Sequence, residues 1–351
     1  MSTLFFLLPF LLIYIVLAIY AERKISAFIQ DRLGPMEVGY YGILQTVADL
    51  IKLIQKEDLV PDKADKLMFK IAPLLIFVAV FAGFSVIPLN AEWSGATISS
   101  GVFFLLAIVS LDVIGILIAG WSSNNKYSVL GTMRSVAQII AYEIPLGLSV
   151  LCVVMVCQTL NLQEISIQQG LHSTEPSYLL GLESISTRQW GGIFTWNIIR
   201  MPLLFIAWII FFIASLAECN RAPFDLPEAE SELVAGFQTE YSGFRWAIIM
   251  LAEYSMMLLV SFLGAILFFG SWNTALPNIA GLRLAEWTSG NVWGIFWLVS
   301  KTLLFVGLQI WVRWTFPRLR IDQLMSLCWK YLTPAALLLI ILCGVWKVWV
   351  S

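Results

Sequence analysis

The sequence predicts an all-α integral membrane protein with eight transmembrane helices, one amphipathic surface helix, and both termini on the periplasmic side. Three observations predict it. First, the 351 residues are 59% hydrophobic and only 13% charged, with a mean hydropathy of +0.84; ordinary soluble domains are about 45–50% apolar and about 25% charged. So little charge cannot coat a soluble surface of this size, which excludes a soluble enzyme or a disordered protein. The net charge of −2 excludes a basic nucleic-acid binder. Second, apolar runs of the length that crosses hydrocarbon as a helix recur near 3–22, 70–90, 101–121, 135–158, 190–214, 246–270, 291–312 and 331–350. Third, sixteen of the 21 Lys and Arg follow the first, third, fifth and seventh runs, whereas Arg188, Arg283 and Lys347 lie on the other side. Basic loops stay inside, so both termini are expected outside.

The first run has no basic leader and is followed directly by Glu22-Arg23-Lys24, so a retained helix is expected rather than a cleaved signal. The loop after it contains 41–56, YGILQTVADLIKLIQK. Leu44, Val47, Leu50, Ile51 and Ile54 recur there at helical spacing, with Asp49, Lys52 and Lys56 off the stripe. That pattern predicts an amphipathic helix on the membrane surface, ended by Pro61. It reads either as a lipid-interface anchor or as one wall of a site for an amphiphilic ligand arriving from the bilayer. No internal repeat and no separate soluble domain is visible, so 1–351 reads as a single membrane domain, a poor fit to the common transporter designs.

Ionisable residues inside the runs are Asp112, Glu143, Arg200, Glu253 and Lys301. Each costs at least about 2.5–3.5 kcal/mol to insert, so each needs a reason. Glu143 follows Tyr142 and precedes Pro145 by two residues; the missing proline N–H leaves a backbone carbonyl free for water or a side chain. Carboxyl groups buried in a bundle commonly carry protons or cations. The alternative is permanent ion pairing, for example Glu143 with Arg200 or Glu253 with Lys301. The densest feature is the acidic inner loop 215–245, with Glu218, Asp225, Glu228, Glu230, Glu232 and Glu240 against Arg221 and Arg245. A plain solvated loop is one reading. Interleaved Phe224, Leu226, Leu233, Val234 and Phe237 and two prolines favour a semi-buried funnel, where crowded carboxylates repel one another as a switchable proton relay requires.

The five cysteines form no C-x-x-C pair and His172 is the single histidine. A disulfide framework, an iron–sulfur site, bis-His haem ligation and a His/carboxylate metal site are therefore not expected. Electrons for any redox chemistry are expected to come from another chain.

Five segments carry a family resemblance: AERKISAFIQDRLGP (21–35), GILQTVADLIKLIQKE (42–57), AGWSSNNKYSVLGTMRSVAQIIAYE (119–143), LAECNRAPFDLPEAESELVAGFQTEYSG (216–243) and RWTFPRLRIDQLMSLCWKYLTP (313–334). Nearly end to end, the chain resembles the subunit 1 family (the H subunit of bacteria) of proton-pumping NADH:quinone oxidoreductase, respiratory complex I. The fourth segment also occurs in related membrane-bound hydrogenases. The resemblance implies that Glu22, Arg23, Arg32, Asp49 and Lys52, with Arg221, Phe224 and Asp225, form a quinone cavity. It implies that Asp112, Glu143, Glu218, Glu228, Glu230, Glu232, Glu240 and Glu253 form an acidic proton relay from that cavity. It also implies that Arg313 to Lys330 docks against a peripheral arm. The stretch 159–189, with His172, is longer than the family's short form and carries no motif, so no catalytic role is assigned to it.

The resulting expectation is a tunnel-forming subunit in a bacterial inner membrane, with ubiquinone or menaquinone as substrate and no metal in this chain. Iron–sulfur clusters and flavin belong to partner subunits. Those partners comprise a peripheral iron–sulfur arm that reduces quinone and small or antiporter-like membrane subunits; membrane lipid surrounds the chain and nucleic acid is not a partner. Three other readings stay open: a stand-alone cation/proton transporter, a structural anchor for a redox arm, and the coupling subunit of a hydrogenase.

Overall fold

The computed structural model describes residues 2–91, 93, 95–96, 98–171, 190–226, 234–278 and 283–350, with side chains from residue 8 to 349. Among the described residues every regular element is a helix, and six are long and apolar enough to cross a membrane: Lys66–Val86, Gly101–Ser122, Lys126–Cys157, Gly243–Phe268, Asn291–Thr315 and Ile321–Trp349. Two further helices fall on the remaining apolar runs: α1 (Ser2–Ile29) and a 17-residue helix, Pro202–Glu218. In chain order the others are α2 (Gln45–Gln55), α3 (Lys66–Gly83), α4 (Gly101–Val109), α5 (Leu111–Ser122), α6 (Lys126–Cys157), α7 (Leu162–Gln168) and α8 (Asn197–Arg200). Pro202–Glu218 is α9, followed by α10 (Gly243–Phe268), α11 (Leu284–Trp287), α12 (Asn291–Thr315), α13 (Ile321–Ser326) and α14 (Thr333–Val350).

Polar residues set the helix ends. Asp65 caps α3 by accepting from the N–H of Leu67 at 3.1 Å and of Met68 at 3.4 Å, and Asn125 caps α6 through Tyr127 N–H at 3.0 Å. Both caps satisfy donors that a helix start leaves open. The helices therefore begin at Lys66 and Lys126, before the apolar runs at 70 and 135. The run at 190–214 behaves in the opposite way. It opens with a 3₁₀ turn and the short α8, Met201 is extended (φ −137°, ψ 112°), and α9 starts only at Pro202 and continues to Glu218. Proline biases its predecessor away from helix but fits a first helical position. Similarly, Tyr41 and Gly42 take positive φ, so α2 starts at Gln45, and it ends at Gln55, well before Pro61.

Burial orders the bundle. α10 is buried continuously from Tyr254 to Phe268, the mark of a central helix. α14 exposes Leu337, Leu338, Ile341, Val345, Val348 and Trp349, apolar side chains suited to lipid or a neighbouring subunit. α4 and α5 meet at Ser110, whose hydroxyl donates to Leu106 O at 2.9 Å; such back-bonding bends helices. The 28 residues of α1 extend ~42 Å at 1.5 Å per residue, longer than a hydrocarbon core of ~30 Å. Its last turns, which carry Glu22, Arg23 and Ser26, meet α2, α10 and α12.

Candidate functional site

A cavity of about 710 Å³ lies where these helices meet. On α1 it is lined by Leu12, Ile15, Val16, Ile19, Glu22, Arg23 and Ser26. That is a single stripe at three- and four-residue spacing, apolar over its first half and polar over its second. On α2 it is lined by Thr46, Asp49, Leu50, Leu53 and Ile54, on α10 by Glu253 and Tyr254 among others, and on α12 by Arg313 and Trp314. The helix geometry thus sorts the wall chemically: aliphatic along Leu12 to Ile19, charged at the end of α1.

Glu22 is the centre of the polar end. It is 6% exposed and accepts hydrogen bonds from Arg313 Nη1 and, at 2.7 Å, from Tyr254 Oη. Arg221 Nη1 stands 3.5 Å from Oε2, the same oxygen that accepts from Tyr254, and the Arg221 guanidinium lies 4.4 Å over the Tyr254 ring. Two guanidiniums facing one carboxylate leave a surplus positive charge in a poorly solvated place, where Coulomb forces are least screened. At the rim, Arg23 Nη1 pairs with Asp49 at 2.5 Å, joining α1 to α2, and Gln45 Nε2 donates to Asp49 at 3.1 Å. Arg32 lines the cavity and reaches Ser26 Oγ at 3.4 Å.

Glu22, Arg23, Arg32, Asp49 and Arg221 therefore share this cavity. Lys52, Phe224 and Asp225 are not among its lining residues. Lys52 is exposed on the other side of α2. Phe224 is buried and packs edge-on to Tyr142, with centroids 5.3 Å apart. Asp225 accepts from Arg318 Nη2 at 2.9 Å, and Leu319 N–H bonds Pro223 O at 3.1 Å. These contacts tie the segment after α12 to the loop after α9, behind the cavity wall.

Carboxylates continue from the cavity into the bundle. Glu253 lines both the large cavity and a second space of about 20 Å³, whose wall also holds Asp112 and Glu218. That volume suits about one water molecule. Glu143 and Asp112 are the charged neighbours of Glu218. Asp112 Oδ1, Glu143 Oε1 and Glu218 Oε2 are buried without a hydrogen-bond partner. Gln238 Nε2 donates to Glu253 Oε1 at 2.6 Å. Glu240 instead accepts from Asn125 Nδ2 at 2.6 Å, at the helix ends rather than in the second space. Glu228, Glu230 and Glu232 lie outside the described residues, as does His172.

The two ion pairs that the sequence left as the alternative, Glu143 with Arg200 and Glu253 with Lys301, are not brought together. Lys301 donates to backbone carbonyls of Phe269, Ser271 and Asn273. Phe269 is sixteen residues, ~24 Å of helix, from Glu253. Arg200 likewise stands at the far end of α9 from Glu218 and its neighbour Glu143.

The comparisons with known proteins decide the family. A model of the NADH dehydrogenase family matches residues 1–344. The chain belongs to the NADH dehydrogenase family. The second NADH-quinone oxidoreductase H subunit of Cytophaga hutchinsonii is 58% identical, with both chains covered in full. The H subunit of Chlorobaculum parvum is 50% identical over 94% of this chain and 87% of its own. The H subunit of Bacillus cytotoxicus is 45% identical over 95% and 91%. The homologues are thus a membrane subunit of an oxidoreductase complex.

Within this family member, five buried cysteines are free thiols. Among the described residues no cluster of three or more His, Cys, Asp or Glu could hold a metal ion. Four hydroxyl-bearing or charged residues of the cavity wall, Ser26, Thr46, Tyr254 and Arg313, were missed by sequence reasoning. Ser26 and Thr46 were within its reach, one helical turn from Glu22 and Asp49. Tyr254 was hidden behind its neighbour Glu253. Arg313, expected at the start of a docking segment, meets Glu22 across 291 residues of chain, a contact that no local pattern announces.

Proposed function

We propose that the cavity receives a long-tailed quinone from the bilayer, between α1 and α2, and that the carboxylates beyond it couple quinone reduction to proton translocation. The observation that carries this reading is Glu253, which lines both the cavity and the small carboxylate-walled space. A volume of about 710 Å³ falls in the usual ligand range of ~300–1,000 Å³. The aliphatic stripe of α1 suits an isoprenoid tail. The positive surplus around Glu22 suits a headgroup whose oxygens gain negative charge on reduction. Electrons come from partner subunits carrying iron–sulfur clusters and flavin; the residues of this chain bind the quinone, orient it and hold protons. Reduction changes the charge in the cavity. Glu253 responds first, then Glu218 with Asp112 and Glu143, and antiporter-like subunits take up the change. The acids of 228–232 belong to the same relay.

The reading includes eight membrane spans, with α1 and α9 joining the six, both termini on the periplasmic side of a bacterial inner membrane, and a peripheral arm docked on the basic loops. Kinetics test the cavity: in Arg23→Ala and Asp49→Ala complexes the KM for a short-chain quinone rises, and an unchanged KM in both removes these residues from the binding wall.

A further inference from the structure

The end of the bundle away from the cavity holds a charged side chain that the proposed function leaves unused. Lys301 sits in the third turn of α12 and is 9% exposed. Its Nζ donates to the carbonyls of Phe269 at 2.7 Å, Ser271 at 2.9 Å and Asn273 at 2.6 Å. An ammonium has three N–H donors and no acceptor, so donors and carbonyls match one to one; a neutral amine, with two hydrogens, cannot make all three bonds. The Trp196 indole covers the ammonium at 4.3 Å, within cation–π range.

The acceptors are built for this. Immediately after α10 the chain turns through Gly270 (φ 75°) and Ser271 (φ 48°), which makes the three alternate carbonyls converge. Gln169 Oε1 accepts from Gly270 N–H at 2.9 Å, and Gln169 Nε2 donates to Ile266 O at 2.9 Å. Asn273 Nδ2 donates to Ser166 O at 2.7 Å. The turn that follows α10 is thus held by a side chain of α12.

From this junction α10 and α12 both run to the cavity. Tyr254 is fifteen residues from Phe269, and Arg313 is twelve from Lys301, so the two arms measure ~22 Å and ~18 Å. Both end on one carboxylate, Tyr254 on Glu22 Oε2 and Arg313 on Glu22 Oε1. A slip of one residue along α12 would shift Arg313 by ~1.5 Å and turn it by roughly 100°. We infer that Lys301 is a positioning residue: its ammonium fixes the register of α12 against α10, so that Tyr254 and Arg313 meet on Glu22. Its kinetic consequence, though not the clamp itself, rests on the cavity being the quinone site.

Lys301→Met keeps the stem and removes the charge; Lys301→Ala leaves room for methylammonium. The readouts in the assembled complex are the Arg313–Glu22 contact, seen in a structure of the variant, and the KM and kcat for a short-chain quinone. In Lys301→Met the contact opens and KM rises about tenfold, the equivalent of ~1.4 kcal/mol, while kcat changes little. In Lys301→Ala methylammonium restores both contact and KM; tetramethylammonium, which has no N–H donor, does not. An intact contact in Lys301→Met overturns the inference whatever the kinetics. An open contact with wild-type KM supports the clamp and instead overturns the quinone reading of the cavity. If Lys301→Met does not assemble, Lys301→Ala is assembled in methylammonium and the amine is then removed: loss of the contact on removal supports the clamp, and its survival overturns it.

Discussion

Glu22 joins four helices or loops through one carboxylate: α1, which carries it, α10 through Tyr254, α12 through Arg313, and the loop after α9 through Arg221. Removing one member of a buried charge pair commonly costs about 3–5 kcal/mol, because the remaining charge is left uncompensated. Glu22→Gln is therefore expected to lower the thermal stability of the purified complex by an amount of that order and to raise the quinone KM. Tyr254→Phe removes a single hydrogen bond to a charged group and is expected to cost less, about 1.5–3 kcal/mol. Equal stability of the two variants would show that Glu22 is not the junction. Tyr241 offers a test by pH. Its ring stacks on Phe69 with centroids 4.2 Å apart, and burial pushes its phenol up to about 12 from an ordinary value of ~10. The neutral phenol thus contributes stability that is complete below about pH 10 and is lost as pH rises through about 12. Tyr241→Phe should lose part of the alkaline destabilisation in that window, as followed by thermal unfolding at stepped pH.

At the scale of elements, composition and periodicity locate the helices but not their ends. Asp65 and Asn125 lengthen α3 and α6 into stretches that are too polar to read as span, whereas Pro202 delays α9 inside a stretch that is apolar throughout. Capping and proline chemistry act over three or four residues, below the resolution of a 20-residue hydropathy window. Asp65→Ala should accordingly destabilise the first turn of α3 by ~1 kcal/mol, seen as faster hydrogen exchange at Leu67 and Met68, with Asp65→Asn close to wild type. On α1, Glu22 and Arg23 were reached through the family resemblance rather than through a pattern. On α2 the helical period was legible, but of the stripe Leu44, Val47, Leu50, Ile51 and Ile54 only Leu50 and Ile54 line the cavity, beside Asp49. The wall from α10 and α12 was not legible. Tyr254 and Arg313 reach Glu22 only after the chain has turned at residues 269–273 and returned, so their meeting is a property of packing rather than of local pattern.

At the scale of the whole molecule, the scarce charge is gathered rather than spread. A positive cluster surrounds Glu22, Glu253 borders the same cavity, and Asp112, Glu218 and Glu143 follow it inward. If these carboxylates link the cavity to proton transfer, Glu218→Gln and Glu143→Gln complexes in proteoliposomes will translocate fewer protons per quinone reduced. Wild-type ratios in both would remove them from the relay. The central claim is that the cavity between α1 and α2 holds the quinone, and photoaffinity labelling with an azido-quinone in the intact complex tests it most directly. Label is predicted on peptides carrying Leu12–Ser26 or Gln45–Ile54, and it should be competed away by excess quinone. Competed label confined to other parts of the complex, with neither peptide modified, would contradict the account.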